Sequence, residues 1–261
     1  YGNIDQKVNQ RYRDNFSQFD VSANINAGKL MPKKWGVQLP VFAGYSQSVS
    51  NPIFDPYDMD IRYKDKVKSL SGQEKRDVKE AAQDFTSIKS LNFQNVRITP
   101  AKNKRKELWD LQNFDVRYSF TQTNKHNPLV ENDQLDEHML GLGYNYTFKP
   151  RSLEPFKKLI PQKRKYWQLL RDVNLNLMPS NFSFRNGINR TVGETQVRNI
   201  DEGAYKLEPL YFKFFTWNRT YNFRWDLTKS LSFDYNANNN SRVDEPYGRI
   251  DTKAKKDTFW N

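Results

Sequence analysis

The sequence predicts a mainly β chain: an antiparallel sheet accompanied by two short helices. Three observations carry that expectation. Apolar and polar residues alternate with period two in one stretch after another. Aromatic residues make up 15% of the 261 positions although hydrophobic residues reach only 36%. No run of about 18 apolar residues occurs, so a transmembrane helix is excluded, whereas membrane-spanning strands need only about 9–11 alternating residues.

The strands follow in order. Phe19, Val21, Ala23, Ile25 and Ala27 alternate with Asp20, Ser22, Asn24 and Asn26, which places a strand over 16–27. Trp35, Val37, Leu39, Val41, Ala43 and Tyr45 repeat the pattern over 35–45. A weaker strand covers 89–99, where the phase slips between Phe93 and Val96 as a β-bulge would make it. Phe114, Val116, Tyr118 and Phe120 mark a strand over 109–121, and Leu140, Leu142, Tyr144, Tyr146 and Phe148 one over 139–148. Val173, Leu175 and Leu177, then Phe182 and Phe184, suggest 173–184, interrupted at Met178-Pro179-Ser180. The longest expected strand is 211–227, joined through Thr228-Lys229-Ser230 to another over 230–237 in a tight hairpin. Elsewhere the connections read as long and polar, as between Gln122 and His138. Short turns at one rim with long loops at the other are a habit of outer-membrane barrels.

Two helices interrupt this pattern. Ser71-Gly72-Gln73-Glu74 has the spacing of a capping box, and Val78, Ala82 and Phe85 form one stripe of a helix over 71–86. A shorter helix is expected over 166–172, with Leu169 and Leu170 apolar, after a proline-punctuated crossover. No composition shift cuts the chain, so 1–261 reads as one segment. The opening Tyr1-Gly2-Asn3 has neither a Met start nor a signal peptide, which suggests a piece of something longer.

Successive strand side chains point to opposite faces, so each stretch offers an apolar and a polar wall. Two architectures satisfy this: a membrane barrel wall and a soluble secreted β-sandwich that binds glycan or protein through exposed aromatics. Three features favour the barrel. The polar face is rich in Asn, Ser, Thr, Asp and Arg, and Asn alone occurs 27 times. Ile and Val are sparse. Trp217 and Trp225 lie on one face about 26 Å apart along the strand, or about 20 Å of height when tilted, close to the usual apolar band. On this reading Val116, Tyr118, Phe120, Leu140, Leu142, Tyr144, Trp217 and Trp225 face lipid. Asp115, Arg117, Asn145, Asn218, Asn222 and Arg224 face a wet lumen. Arg219 argues against it, because a lipid-facing Arg at midplane costs about 2–4 kcal/mol.

Bond-making chemistry is not expected. Without Cys there are no disulfides, thiolate metal sites or cysteine nucleophiles. His126 and His138 read as solvated loop residues, and Asp55, Asp58 and Asp60 lack the Gly and closing Glu of an EF-hand. No nucleotide-binding or nucleophile-elbow motif appears, so neither an enzyme nor a cofactor is expected. The net charge of +12 includes a basic stretch over 149–165, suited to a solvated connection or to lipid headgroups. Nucleic-acid binding is not expected, because the aromatics keep strand phase away from that stretch.

Particular wording joins the pattern. Arg171-Asp172-Val173-Asn174-Leu175-Asn176-Leu177-Met178-Pro179-Ser180, with Phe182-Ser183-Phe184 and Asn189-Arg190, resembles the SprA/Sov family of gliding-motility proteins. So do Asn51-Pro52-Ile53-Phe54-Asp55-Pro56-Tyr57-Asp58, Trp225-Asp226-Leu227-Thr228-Lys229-Ser230-Leu231 and Arg242-Val243-Asp244-Glu245-Pro246. The resemblance implies the outer-membrane translocon of the type IX secretion system in Bacteroidota: part of a very large transmembrane β-barrel in the cell outer membrane. It also implies secreted protein cargo, outer-membrane lipid, and PorV-like shuttle and plug proteins as partners. A chain of roughly eight strands is too short to close so wide a pore, so it would form part of the wall.

Overall fold

The computed structural model describes residues 14–99, 107–149, 152–157, 166, 173–199 and 207–249. Eleven strands occur among them: β1 (Asp14–Asn26), β2 (Val37–Gln38), β3 (Pro40–Pro52), β4 (Asp84–Ile98), β5 (Phe114–His126), β6 (Val130–Thr147), β7 (Ser152–Leu153), β8 (Leu175–Asn176), β9 (Asn181–Val197), β10 (Leu210–Asp226) and β11 (Ser232–Val243). Nine of them make one sheet in the order β1-β3-β4-β5-β6-β9-β10-β11, with the short β2 pairing β4 at one end. Each pair along this path is antiparallel, so the long strands run up and down in sequence order. The pair β7-β8 is a separate two-stranded ribbon. The sheet is open, with β1 and β11 as its edges.

Segments 27–39, 99–113, 148–180 and 227–231 connect strands at the first rim; 53–83, 127–129 and 198–209 do so at the second. Long and short connections therefore occur at both rims, against the expected segregation. β1 begins and β11 ends at the second rim, as the pairings Asp14↔Pro52 and Phe215↔Val243 show.

Several strands run further than alternation suggested, and always toward the second rim. The strand expected over 35–45 divides into β2 and β3, with Trp35 in a 3-10 turn (Lys33–Trp35), and β3 continues through Gln47-Ser48-Val49-Ser50. β5 extends to His126 and β6 starts at Val130, so most of 122–138 is paired strand and both histidines lie in it. Only Asn127-Pro128-Leu129 turns, with the Asn127 side chain accepting the amides of Leu129 at 2.9 Å and Val130 at 2.8 Å. The stretch expected at 173–184 likewise splits into β8 and β9, and β9 reaches Val197. These extensions carry polar residues on both faces, so period two gives no signal there. The bulge in β4 falls where the phase slips, between Phe93 and Val96, and Asn95 takes a φ of 51°. Asn is among the residues that tolerate this left-handed region.

The second-rim connection 53–83 holds α1 (Tyr63–Ser69) and α2 (Gly72–Ala82). α1 was not expected, and α2 ends before Phe85. That residue pairs with Val49 and His126 in β4 and stacks on the His126 ring at 4.7 Å, so strand pairing overrides the helical stripe. The capping box does not close either. The Ser71 side chain makes no cap bond, and the chain enters α2 through Gly72 at a φ of 61°. The second helix expected, over 166–172, falls outside the described residues, Tyr166 excepted.

Tyr63, Val67 and Ala82, with Val78 against them, are the buried apolar cluster among the described residues. The cluster belongs to the helix pair and not to the sheet. Beside it Asp55, 1% exposed, pairs with Lys66 and accepts the Tyr57 amide at 3.1 Å. The Tyr57 hydroxyl donates to the carbonyls of Ala81 at 3.2 Å and Pro128 at 2.8 Å, tying the 51–58 turn to α2 and the β5-β6 hairpin. Asp55→Ala leaves Lys66 without its partner and should destabilise this unit by about 2–3 kcal/mol, because hydrogen bonds to charged groups are worth roughly that much. Asp55→Asn, which keeps the amide bond, should lie between. Hydrogen exchange of α1 and α2 against that of β5 and β6 measures both.

Candidate functional site

Among the described residues the sheet is one layer thick, so its two faces are the candidate functional surfaces. Directly opposed residues in an antiparallel pair share a face, and the registers carry one face across all eight long strands. Ile25↔Val41, Ala43↔Leu91, Tyr118↔Leu140, Leu140↔Ile188 and Ile188↔Trp217 lie on it. So do Val116↔Leu142, Phe114↔Tyr144, Tyr144↔Phe184, Phe223↔Phe182 and Trp225↔Phe233. Val116, Tyr118, Phe120, Leu140, Leu142, Tyr144, Trp217 and Trp225 are thus brought onto this single face. Ring contacts belt it, among them Phe19–Tyr45 (5.6 Å), Phe93–Tyr118 (6.3 Å), Phe114–Tyr144 (4.9 Å), Tyr144–Phe182 (5.8 Å), Phe184–Tyr221 (5.1 Å) and Phe223–Phe233 (6.2 Å).

The opposite face carries the other six residues singled out: Asp115, Arg117, Asn145, Asn218, Asn222 and Arg224. The registers Asp115↔Gly143, Arg117↔Gly141, Asn145↔Ser183, Asn218↔Gly187, Asn222↔Ser183 and Arg224↔Asn181 place them there. Polar side chains bond across the strands: Ser119 to Asn92 (2.6 Å), Asn222 to Ser183 (3.1 Å), Asn181 to Asn145 (3.0 Å) and Thr220 to Asn238 (2.6 Å). This face is not wholly polar. Ile88, Phe212 and Phe214 lie on it toward the second rim, where the Arg242 guanidinium sits 5.5 Å from the Phe214 ring.

Arg219 does lie on the apolar face. β10 pairs without a bulge on either side, and the row reads Val116, Leu142, Asn186, Arg219, Asn239. The guanidinium stacks over Trp217 at 4.1 Å and donates to Asn239 at 2.8 Å, while the Trp217 indole donates to Asn186. The charge is thereby covered by an aromatic plane and an amide.

The phrases singled out in the sequence meet in space. Asn174 to Ser180 docks on the first-rim end of β10. Asn176 takes the Leu227 carbonyl at 2.8 Å through its amide, and its side chain donates to the Asp226 carbonyl at 2.7 Å. Ser180 donates to the Asp226 carboxylate at 2.6 Å, Trp225 donates to the Asn176 carbonyl at 2.8 Å, and Asn174 receives the Lys229 amide at 2.8 Å. At the second rim, residues 244–249 fold back over the aromatic face. Glu245 accepts a two-pronged bond from Arg190 (2.6 and 3.0 Å), Arg249 pairs with Glu194 at 3.2 Å, and Tyr247 packs edge-on to Tyr211 at 5.5 Å. These docking bonds were not legible beforehand, because spacing along the chain does not reveal which rim two phrases share. Within the basic stretch, Glu154 pairs with Lys157 and lies 3.7 Å from Lys229; most of that stretch lies outside the described residues.

Among the described residues no helix is long and apolar enough to cross a membrane, a fact silent about strands. The histidines carry ring contacts: His138 stacks on Phe120 at 4.7 Å and lies 3.1 Å from the Tyr118 hydroxyl.

Fold and faces together define a class: a single-layer, up-and-down antiparallel wall with an aromatic side and an amide-rich side. Residues 1–67 of the chain match the SprA_N family, described as a motility related/secretion protein. The match supports a SprA-like, motility- or secretion-related protein. It includes the phrase at 51–58, while the other phrases lie beyond it. No curated protein matches the chain.

Arg190 holds the Glu245 carboxyl below the ordinary glutamate range, and partial burial opposes that only in part. A depressed carboxyl stabilises the folded form fully above the ordinary glutamate range and loses that stabilisation as pH falls through its folded pKa. The 244–249 segment should therefore stay docked at neutral pH and release in acid, below the usual range of about 4.3. Hydrogen exchange of this segment, with Glu245→Gln flattening the response, checks it.

Proposed function

We propose that the chain is a segment of the wall of an outer-membrane barrel that conducts secreted protein, in type IX secretion and gliding motility, and that it makes or breaks no bonds. One observation carries this reading: an eight-pass meander whose two faces, apart from residues 244–249 over the second-rim end of the aromatic side, are left uncovered by the described residues. Strands spaced about 4.8 Å apart make a face about 35 Å wide, and its apolar band is about 20 Å tall, so a band of roughly 700 Å², aromatic and aliphatic except at the Arg219 patch, is presented. Soluble monomers rarely expose more than a few hundred Å² of contiguous apolar surface. Hydrocarbon on that side removes the difficulty, and the lateral ladder satisfies the backbone there. The amide-rich face then borders water and passing polypeptide.

The same observation favours this reading over a secreted β-sandwich, in which a second sheet would cover the aromatic side. The two-sided polar ends of β5, β6 and β9 would project beyond lipid at the second rim, with α1 and α2 beside them. The Arg219 patch adjoins the edge strand β11, where further wall would continue. Cargo, a PorV-like shuttle and a plug protein enter by resemblance; lipid enters through the aromatic face.

Arginine substitution separates the two faces. Val116→Arg and Leu142→Arg should each cost about 2–4 kcal/mol and sharply reduce assembly into outer-membrane fractions. Thr121→Arg, on the other face and opposite Glu137, should be tolerated. Equal tolerance at all three positions would overturn the reading; heat-modifiable electrophoretic mobility measures it.

A further inference from the structure

The amide-rich face is not flat. A trough of about 670 Å³ crosses it from the β4 bulge over β5, β6 and β9 to β10. Its floor exists because Gly141 pairs with Gly187, so two adjacent strands lack side chains in one row. In that row the two glycines are flanked by Arg117 on β5 and Asn218 on β10. Arg117 lies along Gly141: a Cβ there would fall 2.3 Å from its Nε. Arg185 stands one position along, opposite Gly143 and Thr220.

Unlike the other sheet arginines, which are held by a carboxylate or, for Arg97 and Arg219, by the side-chain amide oxygens of Gln38 and Asn239, these two guanidinium groups have no such partner among the described residues. Arg190, Arg224, Arg242 and Arg249 each pair with a carboxylate. Among the described residues Arg117 and Arg185 make no ion pair, and both are exposed. Asp115 shares the row of Arg185 and lies over the Gly143 that separates them, where a Cβ would meet its Oδ1 at 2.3 Å. It forms no ion pair with either arginine, yet its charge stands close enough in the row to compete for the Arg185 guanidinium.

We propose that this trough is a contact site for acidic polypeptide segments, with side-chain carboxylates taken by Arg117 and Arg185 while the extended backbone passes over the open Gly187 beside the Asn218 amide. Guanidinium matches carboxylate in a planar, two-pronged geometry, which lysine does not. Because both arginines face water, each contact is weak and salt-sensitive, so a chain would be slowed and released, not held. The proposal rests on the reading of this face as the side of the wall along which protein passes, and it adds the charge class of what is contacted.

The test titrates a fluorescent glutamate-rich peptide, and its glutamine counterpart, against the intact protein in detergent at low salt, read by anisotropy. The glutamate peptide should bind more tightly, and Arg117→Gln with Arg185→Gln should weaken it about tenfold, a loss in keeping with two exposed ionic contacts. Asp115→Asn should tighten binding about twofold by removing the competing carboxylate. Gly187→Gln should weaken it by filling the trough; a Cβ there meets nothing nearer than the Asn218 carbonyl at 3.9 Å, so the sheet tolerates it. Arg242→Gln, whose arginine is already paired, should change nothing. Glutamate and glutamine peptides binding alike would overturn the proposal, as would an equal loss in Arg242→Gln, or polyphosphate binding where the peptides do not. Unchanged far-ultraviolet dichroism establishes that the variants fold. The arginine scan reads the aromatic face, so its failure alongside retained Arg117/Arg185-dependent affinity sinks the barrel reading alone. The converse sinks only the contact site.

Discussion

The lateral ladder of backbone hydrogen bonds is the interaction on which the rest of this chain depends. Every inner strand spends its N–H and C=O groups sideways on two neighbours, so the sheet needs no second layer to satisfy its backbone, and none is present among the described residues. What the ladder cannot supply is a place for side chains to leave water. The apolar cluster of Tyr63, Val67 and Ala82 is a local feature of the helix pair and does not serve the sheet. The period of two sorts residues into an aromatic side and an amide-rich side, which suit two different environments.

The docking contacts at the rims answer a second requirement. A single layer resists bending poorly, and its connections need anchoring of their own. Tyr57 reaches from the 51–58 turn to the β5-β6 hairpin, Asn174 to Ser180 fastens onto the end of β10, and Glu245 reaches back to Arg190 on β9. Each ties its segment to a strand or hairpin that is not its sequence neighbour. The phrases that made the sequence resemble a secretion family are largely these anchors, so the wording tracks geometry at the rims more than the character of either face.

Much of this was legible in the sequence, and the remainder was hidden for a definable reason. Wherever a strand carries the aromatic belt, as in Phe114 to Phe120 or Leu140 to Tyr146, alternation located it and assigned its faces. Beyond the belt, Gln122 to His126 and Val130 to His138 are polar on both sides, and a strand of that kind reads as a loop. Phe85 failed differently, since an i, i+3 match to Ala82 was as good a fit as the strand pairing that holds it. The trough escaped notice because its floor comes from an absence: Gly141 and Gly187 are ordinary in sequence and meet only through register.

Both ends of the meander stand at the second rim, since β1 starts there and β11 finishes there. An even number of passes brings the chain back to the side from which it set out. Such a panel can be spliced into a larger sheet, or removed from one, without inverting the polarity of any strand that follows. A sheet assembled from such panels could therefore widen by pairs of strands during evolution while every existing loop kept its own side.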